Sequence, residues 1–219
     1  MYDANGNATV EKIGTSVEKT FVYSAKDQAT QIKTKTHTSD FYYGTSGRFK
    51  RVDTDASGNK TTTLYVGGVE KVINADASID FKRTIGGVAQ VTHRVASNGA
   101  LGAGDYKYLH KDHLGSITAI TYGGGTQKGQ VFQRMAFDPW GARREISNNK
   151  VSAKLLPQTS VLATFAKTAK PITNRGFTGH EMLDEVGIIH MNGRIYDATI
   201  GRFLQAGSDY RWRHQRGRI

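Results

Sequence analysis

Residues 30–36 read TQIKTKT, a strict alternation of two classes of side chain. Ile32 and the threonines fall on one face of an extended chain and the lysines on the other, because successive side chains of a strand point to opposite faces. In residues 78–85 (SIDFKRTI), Ile79 and Phe81 likewise share the face opposite Asp80. This period of two, with its β-branched and aromatic residues, predicts half-buried strands.

Turn signals separate the alternating segments. Residues 3–7 (DANGN) and 55–59 (DASGN) are near copies of each other. Glycine tolerates a positive φ, and aspartate can accept a hydrogen bond from the backbone two residues further on. The pattern predicts a degenerate internal repeat of strand, turn and strand. Two related turns are DHLGS at residues 112–116 and DATIGR at residues 197–202.

One segment has helical rather than strand periodicity. In residues 159–170 (TSVLATFAKTAK), Val161, Leu162 and Phe165 recur at helical spacing behind a possible Thr159 or Ser160 cap, and prolines lie on both sides. We expect one short helix near residues 159–169.

Composition sets limits on the chemistry of the chain. Its 219 residues include no cysteine, which excludes disulfides, thiolate catalysis and cysteine zinc sites. The net charge of +11 permits contact with polyanions but specifies no nucleic acid. Lysines and arginines are scattered, so solvated strand faces are the simplest interpretation. The exception is residues 207–219, where arginines crowd into a divergent basic tail that we expect to be disordered.

Targeting signals are also missing from the sequence. No apolar run approaches the roughly 18 residues of a membrane span, so no transmembrane segment is expected. The polar N-terminus lacks the regions of a signal peptide. The expected location is cytoplasmic as expressed, unless the chain is fused to or exported with another protein.

Residues 110–113 (HKDH) raise the question of a metal site. Zinc accepts histidine and carboxylate ligands, but the odd spacing puts His110 and His113 on opposite faces of a strand. No second spaced pair accompanies them. We interpret Asp112 and Gly115 as the shaping residues of a turn between strands, and we expect neither a metal nor a cofactor.

A second polar region covers residues 176–184 (GFTGHEMLD) and 187–197 (GIIHMNGRIYD). A His/Glu pair is capable of acid–base chemistry, but no nucleophile with a positioned base, phosphate loop or HExxH helix accompanies it. A buried hydrogen-bonded network is the favoured interpretation, with a local ion pair between Arg194 and Asp197. Its candidate members are His180, Glu181, His190, Asn192, Arg194 and Asp197.

Residues 137–145 (FDPWGARRE) predict a further turn. Pro139 fixes φ after Asp138, and Gly141 frees it again. Trp140 is expected to fill a core, and a sugar-stacking platform is the alternative.

Taken together, these motifs resemble the Rhs/YD-repeat family and its repeat-associated core region. The matching stretches are YDANGN at residues 2–7, YLHKDHLGS at 108–116, FDPWG at 137–141 and the block at 174–206. The resemblance implies a structural role for the motif residues Asp3, Gly6, Asp55, Gly58, His110, Asp112, His113, Gly115, Asp138, Pro139, Gly141, Gly179, His180, Glu181, Asp184, Asn192, Arg194, Tyr196, Asp197, Gly201, Arg202 and Phe203.

The resemblance implies a mainly β fold, in which antiparallel β-hairpins form part of a spiral, cocoon-like sheet. Such shells encapsulate a variable toxin that bacteria export for competition or virulence. The implied organisation is degenerate YD-repeat hairpins at residues 1–100, the repeat-associated core at 101–206 and the basic tail at 207–219. The implied partners are the remainder of a shell or further copies of this chain, with toxin cargo in a full-length ancestor.

The sequence departs from the family after FLQA at residues 203–206. Related toxins continue with an Asp-Pro segment and release their cargo by autoproteolysis, but here Gly207 and Ser208 follow. We therefore expect a truncated, non-catalytic shell fragment that self-associates. Two alternatives remain open: a carbohydrate or cell-surface binding module using Trp140, Trp212 and scattered cations, and a self-cleaving aspartyl protease core.

Overall fold

The structure is a computed structural model that describes residues 1–147, 150–156 and 172–206. The helix predicted near residues 159–169 and the basic tail at 207–219 lie outside the described residues. The described part of the chain contains no helix long and apolar enough to cross a membrane.

Twelve antiparallel strands form one sheet, each pairing with the next in sequence order. We call it the large sheet. Because every connection is a hairpin, its topology follows directly from alternating strands and tight turns. Its strands are β1 (Val10–Ile13), β2 (Ser16–Tyr23), β3 (Ala29–Thr34), β4 (Thr38–Gly44), β5 (Gly47–Thr54), β6 (Lys60–Val66), β7 (Val69–Ile73), β8 (Ile79–Ile85), β9 (Ala89–Val95), β10 (Asp105–Lys111), β11 (Ile117–Tyr122) and β12 (Val131–Arg134).

Two smaller sheets follow. The first pairs β13 (Arg144–Ser147) with β14 (Lys150–Leu155). The second, which we call the cap sheet, contains β15 (Glu181–Leu183), β16 (Ile188–Met191), β17 (Arg194–Asp197) and β18 (Arg202–Phe203). The predicted mainly β fold of antiparallel hairpins is confirmed. The large sheet continues across residue 100, and the domain boundary there remains a prediction.

One five-residue turn recurs along the described chain. The N–H of the first residue donates to the carbonyl of the fifth residue, and the N–H of the fourth residue donates to the carbonyl of the first. The fourth residue has a positive φ, as at Gly58 (83°). This geometry occurs at residues 3–7, 24–28, 55–59, 74–78, 96–100, 112–116, 138–142 and 176–180.

Aspartate at the first position stabilises this turn further. Asp55 Oδ1 accepts the N–H groups of Ser57 and Asn59, both at 2.9 Å. In their own turns, Asp112 and Asp138 likewise accept hydrogen bonds from the backbone N–H groups two and four residues further on. The near-copied motifs therefore encode a single turn geometry, and residues 112–116 do form a turn between β10 and β11. Residues 197–202 also form a turn, between β17 and β18, in which Asp197 Oδ1 accepts the N–H of Thr199 and Gly201 has a φ of 63°, but its loop is one residue longer than in the five-residue turn.

Ala77 provides a test of this turn, because it has a φ of 64° at the position that glycine usually occupies. A side chain in this left-handed region costs roughly 1–2 kcal/mol. Ala77→Gly should raise the free energy of unfolding by about 1 kcal/mol after the added unfolded-chain entropy of glycine is subtracted. Urea denaturation checks this, with Ala56→Gly as the control, since Ala56 has no positive φ. Equal effects of the two substitutions would contradict the strain.

The cap sheet packs on the first strands of the large sheet. Phe21, Ile32 and Phe41 form one buried cluster with Leu183 and Ile195 of the cap sheet. We call this face of the large sheet its inner face. Burial of such side chains contributes roughly 1.5–3 kcal/mol each, so this contact fixes the cap sheet to the large sheet.

The opposite face of the cap sheet has its own core. Met182, Ile189 and Tyr196 are cross-strand neighbours, and they cluster with Phe177 and partly buried Phe137. The cap sheet is therefore covered on both faces, which explains why apolar residues stand next to each other in its strands, as at Met182 and Leu183 and at Ile188 and Ile189.

Candidate functional site

Three polar side chains of the cap sheet share the face that contacts the large sheet. Glu181 lies directly across from His190, and His190 lies across from Ile195. Asp197 follows Ile195 by two residues and therefore points the same way. Glu181, His190 and Asp197 are at most 3% exposed. The register of the cap sheet thus brings these polar groups to the interface between the sheets.

Glu181 is bound by residues of β5 and β6. Its Oε1 accepts hydrogen bonds from Arg51 Nη1 and Tyr65 Oη, each at 2.8 Å. Its Oε2 accepts a hydrogen bond from Arg48 Nη2. The Arg48 guanidinium also lies over the Tyr65 ring, 4.6 Å from its centroid. We call Glu181, Arg48, Arg51 and Tyr65 the Glu181 cluster.

The charges within the Glu181 cluster keep Glu181 and Arg51 ionised although both side chains are buried. Burial by itself would raise the pKa of Glu181, but Arg51, Arg48 and the Tyr65 hydrogen bond lower that pKa to about 2. Burial would lower the pKa of Arg51, but Asp53, Tyr65 and Glu181 raise it instead. Arg51 Nε lies 2.8 Å from Asp53 Oδ2. The carboxylate and the guanidinium therefore remain a buried ion pair at neutral pH.

His190 lies beside the Glu181 cluster as a neutral ring. Its Nε2 is 3.3 Å from Tyr43 Oη, which itself donates to the carbonyl of Ala29 at 2.9 Å. Tyr43 therefore accepts a hydrogen from Nε2, which leaves Nδ1 unprotonated. Burial and the neighbouring charge of Arg48 lower the pKa of His190 to about 3. A neutral imidazole with this pKa is a poor proton acceptor at neutral pH.

Asp197 makes a second buried contact between the two sheets. Its Oδ2 is 3.2 Å from Lys19 Nζ, which also lies 2.9 Å from Glu11 Oε2. Its Oδ1 accepts the N–H of Thr199 at 2.8 Å. The predicted ion pair between Arg194 and Asp197 is wrong: the odd spacing puts Arg194 on the other face of β17, with its guanidinium 3.8 Å from the centroid of the Phe203 ring.

No protein-family model and no curated protein matches the sequence significantly. Solved structures do match the fold. The TcdB2-TccC3 crystal structure aligns with 95% of this chain at a TM-score of 0.66 and 16% identity. Its complex with Cdc42 aligns with 94% of this chain at a TM-score of 0.67 and 17% identity. The Tc holotoxin pore of Photorhabdus luminescens aligns with 94% of this chain at a TM-score of 0.66 and 16% identity. The fold is that of the Rhs/YD-repeat shells. The prediction made from the motifs is therefore confirmed at the level of fold.

The chain spans about a tenth of the length of these matched chains, 10% in the first two and 9% in the third. Its fold therefore aligns with one section of each matched chain. Within this chain, the Glu181 cluster joins the strands before residue 100 to the strands after residue 180.

Two of the five-residue turns contact each other directly. The N–H of Thr178 donates to Ser116 Oγ at 3.0 Å, and the N–H of Ile117 donates to the carbonyl of Gly176 at 3.1 Å. The turns at residues 112–116 and 176–180 therefore dock the cap sheet near β11. The sequence does not predict this contact, because the two turns are far apart along the chain.

The histidines considered as metal ligands lie apart. His110 Nε2 is 3.0 Å from Thr121 Oγ1, and His113 is exposed in its turn. His180 Nδ1 is 2.8 Å from Thr178 Oγ1, whereas His190 is buried beneath the cap sheet. Among the described residues, no group of three histidine, aspartate or glutamate side chains is arranged to hold a metal ion.

The turn at residues 138–142 positions Trp140 on the surface. Its indole is 60% exposed and covers Gly201, where an added Cβ would lie 3.2 Å from Trp140 Cε3. The prediction that Trp140 fills a core is therefore wrong. The same segment is anchored by Arg143, whose Nε and Nη2 donate to the two carboxylate oxygens of Asp184 at 3.0 and 2.9 Å.

Of the predicted polar network, the structure brings Glu181 and His190 together, whereas Asp197 has a separate partner. Asn192 is exposed in the turn between β16 and β17, with a φ of 59°. The sequence does not predict the cationic side of the interface, because its pattern places Lys19 and Arg51, like the other scattered lysines and arginines, on solvated strand faces. They are in fact 8% and 2% exposed. Nothing in the local pattern around either residue signals burial.

The buried titratable groups predict a steep acid dependence of stability. Between its ordinary pKa of 6.5 and about 3, His190 takes up a proton only in the unfolded chain, so falling pH favours unfolding. Glu181 likewise takes up a proton only in the unfolded chain between its ordinary pKa of 4.5 and about 2, which further favours unfolding as the pH falls. Burial and Asp53 raise the pKa of Glu185 to about 7, so the stability that its protonated form contributes is lost as pH rises from 4.5 towards 7.

We therefore expect the His190 and Glu185 effects to offset each other between pH 4.5 and 6.5. Below pH 4.5 the proton uptakes of His190 and Glu181 in the unfolded chain add, and the free energy of unfolding should fall by up to roughly 3 kcal/mol per pH unit. Urea denaturation from pH 7 to pH 3 checks this profile. His190→Gln should halve the acid slope, and a profile that stays flat down to pH 3 would contradict the assignment.

Proposed function

We propose that this chain is a structural, non-catalytic section of an Rhs/YD-repeat toxin shell. The observation that carries the proposal is the buried Glu181 cluster, which holds the cap sheet against the inner face of the large sheet. Its carboxylate oxygens accept hydrogen bonds from Arg48, Arg51 and Tyr65. A carboxylate held in this way at a pKa of about 2 serves anchoring rather than proton transfer.

The geometry around Asp197 also favours a structural role over autoproteolysis. An aspartyl protease needs two carboxyl groups that share a proton. Asp197 instead has a lysine at 3.2 Å and the backbone of Thr199 as partners, and its side chain is fully buried. These contacts hold the turn after β17 in place.

In this proposal, neighbouring strands of the shell continue the large sheet beyond β12. Among the described strands, β12 pairs only with β11, so its other edge presents unpaired backbone groups. Met135 N–H donates to Thr118 on the β11 side. Because N–H groups alternate along a strand, Arg134 N–H points to the open edge.

Edge pairing is tested by the self-association of the isolated chain. We expect size-exclusion chromatography with light scattering to show oligomers whose fraction rises with concentration. Arg134→Pro removes the outward N–H and should shift the chain to monomer, since proline blocks pairing at an edge. Arg134→Gln is the control, because it removes the charge and keeps the N–H. A wild-type chain that is monomeric at all concentrations would contradict the edge-to-edge role.

A further inference from the structure

A cavity of about 460 Å³ lies beside the Glu181 cluster, between strands β6–β11 and the loop that precedes the cap sheet. Its volume falls within the roughly 300–1,000 Å³ typical of small-molecule sites. The side chains that the argument uses are Glu70, Lys82, Leu109, Lys111, Ile117 and Arg175.

The cavity has an excess of positive charge. Arg175 Nη2 lies 3.6 Å from Glu70 Oε1, and Lys82 lies directly across from Glu70 on the neighbouring strand. Lys111 contributes a third cation, with its Nζ close to the backbone of Gly87. Among the described residues that line the cavity, one carboxylate therefore accompanies three basic side chains. At 3.6 Å, the contact between Arg175 and Glu70 is too long for a hydrogen bond, which leaves Arg175 donors for another acceptor.

The other wall of the cavity is apolar. Leu109 and Ile117 are 7% and 1% exposed, and both belong to one buried cluster with Ile120. Tyr65 lines the cavity and also belongs to the Glu181 cluster, because its hydroxyl donates to Glu181. The cavity therefore combines an apolar wall with a basic wall, and its cations are not members of the Glu181 cluster.

We propose that this cavity binds a small organic anion that has an apolar body and a phosphate or carboxylate group. The anionic group contacts Arg175 and Lys111, because a guanidinium matches the geometry of phosphate and carboxylate oxygens. The apolar body packs on Leu109 and Ile117. This inference goes beyond the structural role proposed above, since a shell section needs no small ligand.

Isothermal titration calorimetry of the wild-type chain with phenyl phosphate tests the site. We expect saturable binding with a dissociation constant of about 1 mM or tighter, as for a compact ligand of this size. Inorganic phosphate lacks the apolar body and benzyl alcohol lacks the anion, so each should bind at least about tenfold more weakly.

Two substitutions locate the binding. Arg175→Gln and Lys111→Gln should each weaken phenyl phosphate binding, the former by about tenfold. The matched control is Arg83→Gln, because Arg83 is exposed on β8 next to Lys82 but does not line the cavity. Circular dichroism melting of each variant confirms the fold. The proposal is overturned if phenyl phosphate does not saturate, if benzyl alcohol binds equally well, or if all three variants lose the same affinity.

Discussion

Replacing Glu181 by glutamine is expected to lower the free energy of unfolding by about 3–5 kcal/mol, the range for removal of one partner from a buried ion pair. The amide has nearly the same shape as the carboxylate but carries no charge. Arg51, at 2% exposure, would then lose the carboxylate that accepts its Nη1 hydrogen bond at 2.8 Å. Arg48 loses its carboxylate partner as well.

Urea denaturation at pH 7 measures this loss. The matched control is Glu18→Gln, which removes a carboxylate paired with Lys35 at 2.7 Å on the surface of the large sheet. Exposed pairs of this kind contribute little to stability, so the control should change the denaturation midpoint only slightly. If the two variants lose the same stability, Glu181 does not hold the cap sheet against the large sheet.

Gly141→Ala is expected to lower the free energy of unfolding by roughly 2–5 kcal/mol, through two separate effects. Gly141 has a φ of 94°, a conformation that strains any other residue. An added Cβ would also lie 2.6 Å from Cδ1 of Phe177. Phe177 belongs to the core on the outer side of the cap sheet, so the clash would displace a buried ring.

Gly58→Ala separates the two effects. Gly58 has a similar φ of 83° in the same kind of turn, but its added Cβ would have nothing within 4 Å. We expect thermal or urea denaturation to show only the conformational cost of roughly 1–2 kcal/mol for this variant. Equal losses at Gly58 and Gly141 would mean that the Phe177 ring moves away without cost.

The strands and turns could be predicted because their determinants are local. The alternation in residues 30–36 places Ile32 on the buried face of β3, where it is 0% exposed. The turn motif works within five residues, since Asp55 binds backbone groups only two and four residues away. Neighbouring residues in the sequence therefore suffice to specify a meander of hairpins.

The candidate site could be predicted only in part. The sequence predicts that polar residues of the cap sheet are buried, and Glu181, His190 and Asp197 are indeed buried. It does not predict the burial of Arg51 and Lys19, because a cation on an alternating strand gives the same pattern whether its face meets water or another sheet. The pattern of residues 78–85 also does not show which face of its strand is buried. In the structure Asp80 is 8% exposed, whereas Phe81 on the other face is only partly buried and lies under Lys71.

The strand periodicity, the repeated turn and the resemblance that predicted the fold can all be read from the sequence, since each depends on residues close together along the chain. Which face of the large sheet is covered, and which cations meet the cap sheet, depends on the packing of the two sheets. Glu181 and Arg51 are 130 residues apart in sequence. Burial of a charge depends on what lies opposite it in space, and a partner so distant leaves no trace in the local pattern of either strand.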